Sequence, residues 1–113
     1  MKGLLLLAAL LPIVASAAPR AATPKEISAI RSSLERKLKD APSARFEAVL
    51  VENDNVCGMV NAKNSMGGYA GYSPFFGMVT VDTTGKTVAY VLSVGEDEIT
   101  RKMCADKGIP LPP

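Results

Sequence analysis

The sequence predicts one α+β domain with an N-terminal helix, an antiparallel sheet of about four strands, and a short C-terminal helix packed on the sheet. Three observations predict this class. Apolar residues recur at helical spacing near both ends of the chain, and the middle holds runs of β-branched and aromatic residues separated by turn residues. The 113 residues are 48% hydrophobic and 21% charged, which is typical of a single globular domain.

The first helix is predicted to begin at Pro24. Thr23 can cap its first turn, proline suits the first helical position, and Glu26 completes a capping box with Thr23. Because Pro42 disfavours helical backbone at the residue before it, the helix should end near residue 39 or 40. The apolar stripe of this helix consists of Ile27, Ile30, Leu34 and Leu38.

Four strands are expected between the two helices, in the simple up-and-down order of a meander. They span residues 45–52, 56–62, 75–82 and 86–94, and residues 83–85 between the last two are predicted to form a short hairpin turn in which Gly85 supplies a positive φ. In the first strand, strict alternation places Phe46 and Leu50 on one face. The same alternation places Val49 and Val51 on the opposite face. We expect both helices to cover one face of this sheet.

A second helix is predicted after the last strand. Acidic residues at 96–98 suit its first turn, and Gly108 suits the position just after its end. Residues 110–113 form a proline-rich tail. The folded domain is therefore expected to span residues 23–109, and residues 18–22, which show no periodicity, should form a flexible N-terminus.

The first 17 residues have the pattern of a secretory signal peptide. Lys2 gives a positive start, an apolar run follows over residues 4–14, and Ala15-Ser16-Ala17 is the small-x-small sequence that signal peptidase accepts. The apolar run is shorter than the ~20 residues needed to cross a bilayer. We therefore expect cleavage after Ala17, a periplasmic or secreted mature protein, and no stable membrane anchor after cleavage.

The two cysteines, Cys57 and Cys104, are expected to form a disulfide, because exported proteins fold in an oxidising compartment. The bond would join the second predicted strand to the last helix. One alternative is a redox-active pair, but such pairs normally have only two residues between their cysteines. The other is a metal site, but two cysteines in a chain without histidine provide too few of the usual ligands.

The most informative segment is a glycine-rich loop with its flanks. Residues 57–72 read Cys-Gly-Met-Val-Asn-Ala-Lys-Asn-Ser-Met-Gly-Gly-Tyr-Ala-Gly-Tyr, and four of the six aromatic residues of the chain fall within residues 69–76. Glycine allows close approach of another chain, and tyrosine combines an apolar ring with a polar tip. The hypothetical binding residues are therefore Asn61, Lys63, Asn64, Tyr69 and Tyr72. The alternative interpretation is structural, with the asparagines bonding the backbone of an irregular loop.

This segment resembles a stretch, CGxVNAKNSxGGYxGY, that is shared by a group of small exported bacterial proteins of unassigned function. The resemblance also includes the Asp-Ala-Pro-Ser-Ala-Arg-Phe segment at residues 40–46, and it extends to about residue 76. It implies a bacterial source and the same compact domain. It implies no catalytic residue.

Composition narrows the function classes further. Thirteen basic and eleven acidic residues give a net charge of only +2, without the basic cluster of a nucleic-acid-binding protein, and no histidine is present for a catalytic triad. We expect a non-catalytic binding module without metal or cofactor, such as an inhibitor, an immunity-type protein or an envelope accessory protein. Its partner would be a protein of the bacterial envelope or one outside the cell. The alternatives are a cell-wall glycan-binding protein and a small envelope hydrolase.

Overall fold

The computed structural model describes residues 18–38, 40–64 and 66–113, and the expected signal peptide at residues 1–17 lies outside these described residues. The chain forms a five-stranded antiparallel sheet and two α-helices. The elements are β1 (Arg20–Ala21), α1 (Pro24–Ser33), β2 (Arg45–Glu52), β3 (Asn55–Asn61), β4 (Ser73–Val81), β5 (Thr87–Val94) and α2 (Glu98–Asp106). The strands follow the order β1-β2-β3-β4-β5, which confirms the meander and the mixed α+β class.

The two-residue strand β1 is a fifth strand that the sequence does not predict. Arg20 and Ala21 pair with the outer edge of β2. The guanidinium of Arg20 then makes two hydrogen bonds of 2.8 Å to the carboxylate of Glu26 in the first turn of α1. The ion pair joins the strand to the helix across the sheet edge. Two residues are too few to show an alternating pattern, so periodicity within residues 18–22 could not indicate this strand.

Helix α1 begins as predicted and ends earlier. The hydroxyl of Thr23 accepts a hydrogen bond from the N–H of Glu26, and the Glu26 carboxylate accepts one from the N–H of Thr23. The α-helix ends at Ser33, and a 3-10 turn follows over Leu34–Arg36. Leu34 is fully buried in this turn, so the apolar stripe continues through a tighter helix than its spacing suggests.

The two helices cover opposite faces of the sheet, which corrects the expectation that both cover one face. On β4, Phe75 belongs to the core beside α1, and its neighbour Phe76 belongs to the core beside α2. On β3, Cys57 shares the face of Phe76, so a helix bonded to Cys57 has to lie opposite α1. The larger core consists mainly of Ile30, Leu34, Val49, Val51, Val56, Val60, Phe75, Val79 and Val91.

The predicted disulfide is present between Cys57 of β3 and Cys104 of α2, whose Cα atoms lie 6.0 Å apart. Both cysteines are fully buried, and Ile109 packs against them beyond the end of the helix. The bond therefore fixes α2 to a central strand. Within residues 18–113 as described, neither helix combines the length and the apolar character that crossing a membrane requires.

A β-bulge in β2 changes which side chains face α1. Ala48 has a φ of +53°, and the pairing of β2 with β3 shifts its register at this point. Phe46 therefore lies on the α1 side together with Val49, whereas strict alternation predicts that it shares the face of Leu50. Gly58 of β3 lies opposite the bulge, where a Cβ would come within 2.8 Å of Cγ2 of Val49. Only glycine leaves room for this close approach.

Strand β5 is the other edge of the sheet, and α1 packs beside it. Ser33, the last residue of α1, accepts a hydrogen bond of 2.8 Å from the backbone N–H of Val91. The turn from β4 to β5 is the one that the sequence predicts. The Asp82 carboxylate accepts hydrogen bonds from the N–H groups of Thr84 and Lys86 there, and Gly85 has a φ of +86°.

Candidate functional site

The glycine-rich loop, residues 62–72, connects β3 to β4 at one end of the sheet. Its two halves meet at an antiparallel bridge between Lys63 and Tyr69. Gly67 and Gly71 have φ values of +84° and +105°, which side-chain-bearing residues rarely adopt. These two glycines allow the chain to fold back on itself, so the loop is a narrow projection and not an open coil.

Asn64 holds the tip of the loop. Its Oδ1 accepts hydrogen bonds from the N–H groups of Met66 at 3.0 Å and Gly68 at 3.2 Å. Its own N–H donates to the carbonyl of Gly68, and its carbonyl accepts from the N–H of Gly67. An asparagine that bonds its own loop in this way sets the shape of that loop.

Asn61 closes the base of the loop. This residue ends β3 and is 9% exposed, and its Oδ1 accepts a hydrogen bond of 3.0 Å from the N–H of Gly71. A buried amide oxygen needs such a partner, because an unsatisfied one would destabilise the fold. The side-chain oxygens of Asn61 and Asn64 therefore bond the backbone of the loop, as the structural alternative predicts.

Tyr69 fastens the loop to the body of the domain. Its hydroxyl donates a hydrogen bond of 3.0 Å to the backbone oxygen of Ser43, and the Oγ of Ser43 accepts another from the N–H of Lys63. The guanidinium carbon of Arg45 lies 3.9 Å from the centroid of the Tyr69 ring, and Nζ of Lys63 lies 5.9 Å from it. Both distances suit cation–π attraction. Ser43, Arg45, Lys63 and Tyr69 thus form one contact group, the Tyr69 cluster.

Among the described loop residues, two large hydrophobic side chains remain open to solvent. Met66 at the tip is 93% exposed, and Tyr72 at the base is 38% exposed. The residue pattern of the sequence singles out Tyr72 but not Met66. A lone apolar residue in a polar loop has no periodicity to mark it, and the only available signal is its position directly before two glycines.

A shallow cavity of about 300 Å³ lies between the loop and the segment that follows α1. Lys37 and Leu38 form one side of it, and Ala62, Lys63 and Asn64 form part of the other. Neither Tyr69 nor Tyr72 lines this cavity. Its volume is at the lower limit for small-molecule sites, so the concave surface beside the loop is small and lacks an aromatic wall.

The acidic stretch at residues 96–98 serves as the start of α2. Asp97 caps the helix by accepting a hydrogen bond of 2.7 Å from the N–H of Thr100. Glu96 accepts two hydrogen bonds from the guanidinium of Arg101, which lowers the pKa of the Glu96 carboxyl below its ordinary value. Such a carboxylate is ionised at neutral pH and poorly suited to donate a proton. In the part of the chain that the structure describes, no three His, Cys, Asp or Glu side chains are grouped to hold a metal ion.

Four of the five hypothetical binding residues thus lie on the loop, Asn61 lies at its base as the last residue of β3, and their surroundings differ. Asn61, Asn64 and Tyr69 are bonded within the fold, the exposed Lys63 contacts the Tyr69 ring, and Tyr72 is open to solvent. No protein-family model, curated protein or solved structure matches the chain.

Proposed function

We propose that this protein is a small exported, non-catalytic binding module that holds a protein partner on the glycine-rich loop. The observation that carries the proposal is a loop fixed from within whose tip presents an exposed apolar side chain. Asn64 fixes the tip, Tyr69 anchors the loop, and Met66 is the side chain that projects. A loop already ordered before binding loses less conformational entropy on association, and methionine is enriched in protein interfaces.

The surroundings of Tyr69 favour a protein partner over a cell-wall glycan. A sugar would stack on an open aromatic face, but Arg45 and Lys63 both contact the Tyr69 ring. The nearby cavity contains no aromatic side chain. The loop projects, its tip is apolar, and Tyr72 at its base is partly exposed. Such a surface instead suits a shallow depression on another protein.

The disulfide supports the exported location, because disulfides persist in oxidising compartments and are rare in the cytosol. The resemblance to small exported bacterial proteins agrees with a periplasmic or secreted module. The intact mass of protein isolated from the cell envelope fraction or the medium tests this part of the proposal. A chain beginning at Ala18 is expected, and a full-length chain retained in the cytosol would contradict it.

Site-specific photo-crosslinking in living cells tests the binding surface. A photoreactive amino acid replaces Met66 at the loop tip, and the matched control replaces Ile99, which is 67% exposed on α2. We expect one discrete crosslinked species from Met66 and none from Ile99. The same variant with Tyr72→Ala should yield less of it.

Comparison with crosslinking from the control position, Ile99, shows whether the interaction is specific to the loop. Equal crosslinking from both positions would indicate random collisions, and a species from Ile99 alone would move the interface to α2. The absence of any species from Met66, in a variant that still unfolds cooperatively, would overturn the proposal.

A further inference from the structure

A second surface, separate from the glycine-rich loop, lies along the edge strand β5. A groove of about 580 Å³ runs between the last turns of α1 and this strand. A smaller cavity of about 310 Å³ continues it and shares four lining residues with it, namely Ala29, Ser32, Lys86 and Thr87. No described residue of the glycine-rich loop lines either cavity.

The backbone of β5 has hydrogen-bonding groups that point away from the sheet. The carbonyl of Lys86 accepts a hydrogen bond from the N–H of Asp82 across the turn to β4. Because backbone groups alternate sides along an antiparallel strand, every second residue after Lys86 also bonds β4. The N–H and C=O groups of Thr87 and Ala89 therefore point to the open edge. Among the described residues, no side chain or loop is bonded to them.

Ser33 marks where α1 closes this edge. Its Oγ accepts the hydrogen bond of the Val91 N–H, so that group is already satisfied. The open part of the edge runs from Lys86 to Tyr90, about 17 Å at the usual rise of a strand. Tyr90 is 60% exposed and Leu92 is 53% exposed, and both line the groove. The edge thus combines unused backbone groups with apolar contact area.

The charged side chains that line the two cavities all have one sign. Lys25 and Lys86 lie at the end near the β4–β5 turn, and Arg36 and Lys37 lie at the end near Ser33. None of the four forms an ion pair with a described carboxylate. Among the described residues, no acidic side chain lines either cavity. Charge complementarity therefore calls for carboxylates at both ends of whatever binds here.

We propose that β5 binds an extended acidic segment of a partner protein, which adds a sixth strand to the sheet. The segment would pair its backbone with Thr87 and Ala89 and pack β-branched or aromatic side chains beside Tyr90. Carboxylates on both sides of the paired stretch would meet the basic residues at the two ends. This proposal concerns a different surface from the loop and does not depend on it.

A second copy of the chain fits this edge less well. If two β5 strands paired about a two-fold axis, the Lys86 end of one copy would lie against the Arg36 end of the other. Four cations would then meet without a carboxylate from the groove between them, which repels. An acidic segment meets no such repulsion, so it is the occupant that the charges favour.

Titration of the disulfide-bonded, ¹⁵N-labelled protein with a synthetic peptide tests the proposal. The peptide has about ten residues, with two glutamates at each end and alternating valine and threonine between them. We expect the amide exchange of Thr87 and Ala89 to slow on binding. The amides of Val88 and Tyr90 face β4 and should be protected with or without peptide. The same peptide with N-methyl groups on alternate central residues keeps its charges but cannot pair, so it should not bind.

Charge variants provide the second readout. Lys86→Glu should weaken peptide binding about five-fold or more, and Lys86→Gln should weaken it less. The matched control, Lys107→Glu, has the same net charge but lies at the end of α2, so its affinity should stay within about two-fold of the wild type.

Several outcomes would overturn the proposal. Equal binding of the methylated and unmethylated peptides would show that the peptide does not bind by strand addition. Equal effects of Lys86→Glu and Lys107→Glu would show that only the net charge of the protein attracts the peptide. If the peptide does not bind at millimolar concentration, β5 is not a binding site for such a segment. Sedimentation of the free protein as a dimer that excludes the peptide would assign the edge to a second copy.

Discussion

The hydroxyl of Tyr69 lies 3.0 Å from the backbone oxygen of Ser43, although the two residues are 26 positions apart in the chain. This hydrogen bond ties the glycine-rich loop to a second 3-10 turn, Ala41–Ser43, which lies just before β2, and makes the loop part of the fold. It also separates two tyrosines that the sequence treats alike. Tyr69 is an anchor, whereas Tyr72 is exposed and free to contact a partner.

Removal of the Tyr69 hydroxyl should therefore destabilise the domain. Tyr69→Phe is expected to lower the free energy of unfolding by about 1 kcal/mol, because the carbonyl of Ser43 loses its donor. Urea unfolding followed by circular dichroism measures this change. Tyr72→Phe is the matched variant and should stay within about 0.5 kcal/mol of the wild type. A larger loss from Tyr72→Phe than from Tyr69→Phe would reverse these roles.

A methyl group at Gly58 should disturb the centre of the sheet. The new Cβ would lie 2.8 Å from Cγ2 of Val49 and 3.0 Å from Cε2 of Phe75, so Gly58→Ala is expected to cost about 2 kcal/mol of stability. Thermal unfolding measures the loss. Gly68→Ala is the control, because a Cβ there meets nothing within 4 Å, and its stability should be unchanged or slightly raised. Equal stability of both variants would argue against the bulge geometry.

The ion pair between Arg20 and Glu26 should make stability depend on pH. The guanidinium of Arg20 and the N–H of Thr23 donate to the carboxylate and lower the pKa of Glu26 from 4.5 to about 2. A lowered pKa in the folded state stabilises the protein above the unfolded-state value, and this stabilisation is lost as the pH falls toward 2. Glu26→Gln is thus expected to cost about 1–2 kcal/mol at pH 7, because Arg20 is half exposed and water weakens the pair.

The measurement is the difference in unfolding free energy between wild type and Glu26→Gln across the acid range. The difference should be constant above about pH 5 and should shrink between pH 4.5 and 2. A difference that persists unchanged at pH 2 would show that the effect comes from side-chain shape and not from charge.

Removal of the disulfide should be the most destabilising of these changes. Cys57 and Cys104 are 47 residues apart, and opening a loop of this size is expected to cost about 4 kcal/mol. Cys57→Ala combined with Cys104→Ala, compared with wild type in urea, measures the cost. Thiol titration of the denatured wild-type protein should find no free thiol. Two titratable thiols in envelope-derived material would contradict the disulfide.

Local signals in the sequence predicted much of the fold. Thr23 and Glu26 indicated the start of α1, Gly85 indicated the β4–β5 turn, and the two cysteines indicated their bond. Each of these features depends on residues close in sequence or on chemistry that a residue type carries with it. These features could be predicted without knowing which segments contact each other in the folded protein.

Features set by contacts between distant segments were missed. Ala48 adopts a positive φ that alanine does not favour, so nothing in its identity indicates the bulge that moves Phe46 to the α1 side. Cys57 and its neighbour Val56 point to opposite faces of the sheet, so α2, which is bonded to Cys57, lies opposite α1. This placement could be predicted only if it were known that α1 covers the face of Val56. Strand β1 is formed by pairing with β2, and its Arg20 contacts Glu26 of α1; neither contact is indicated by its two residues.

The glycine-rich loop was predicted from the sequence, and the surroundings of its side chains were not. The composition of residues 61–72 singled out the loop, and four of the five chosen residues lie on it, with Asn61 at its base as the last residue of β3. Composition cannot separate a side chain that builds a loop from one that it presents. Asn61 and Asn64 bond the backbone, and Met66, which was not chosen, is the most exposed large apolar side chain among the described residues.

The two bulges bear on how a comprehensive mutational scan of this protein should be interpreted. Gly58 faces the bulge of β2, and Gly77 faces the bulge of β5, where a Cβ would lie 2.5 Å from the backbone oxygen of Tyr90. An abundance screen would score both positions as intolerant of every substitution, although neither lies on a proposed contact surface. Met66 would tolerate nearly everything in the same screen. In this protein, the strongest mutational signal would therefore map the curvature of the sheet, and the binding surface would emerge only when abundance and partner capture are scored separately.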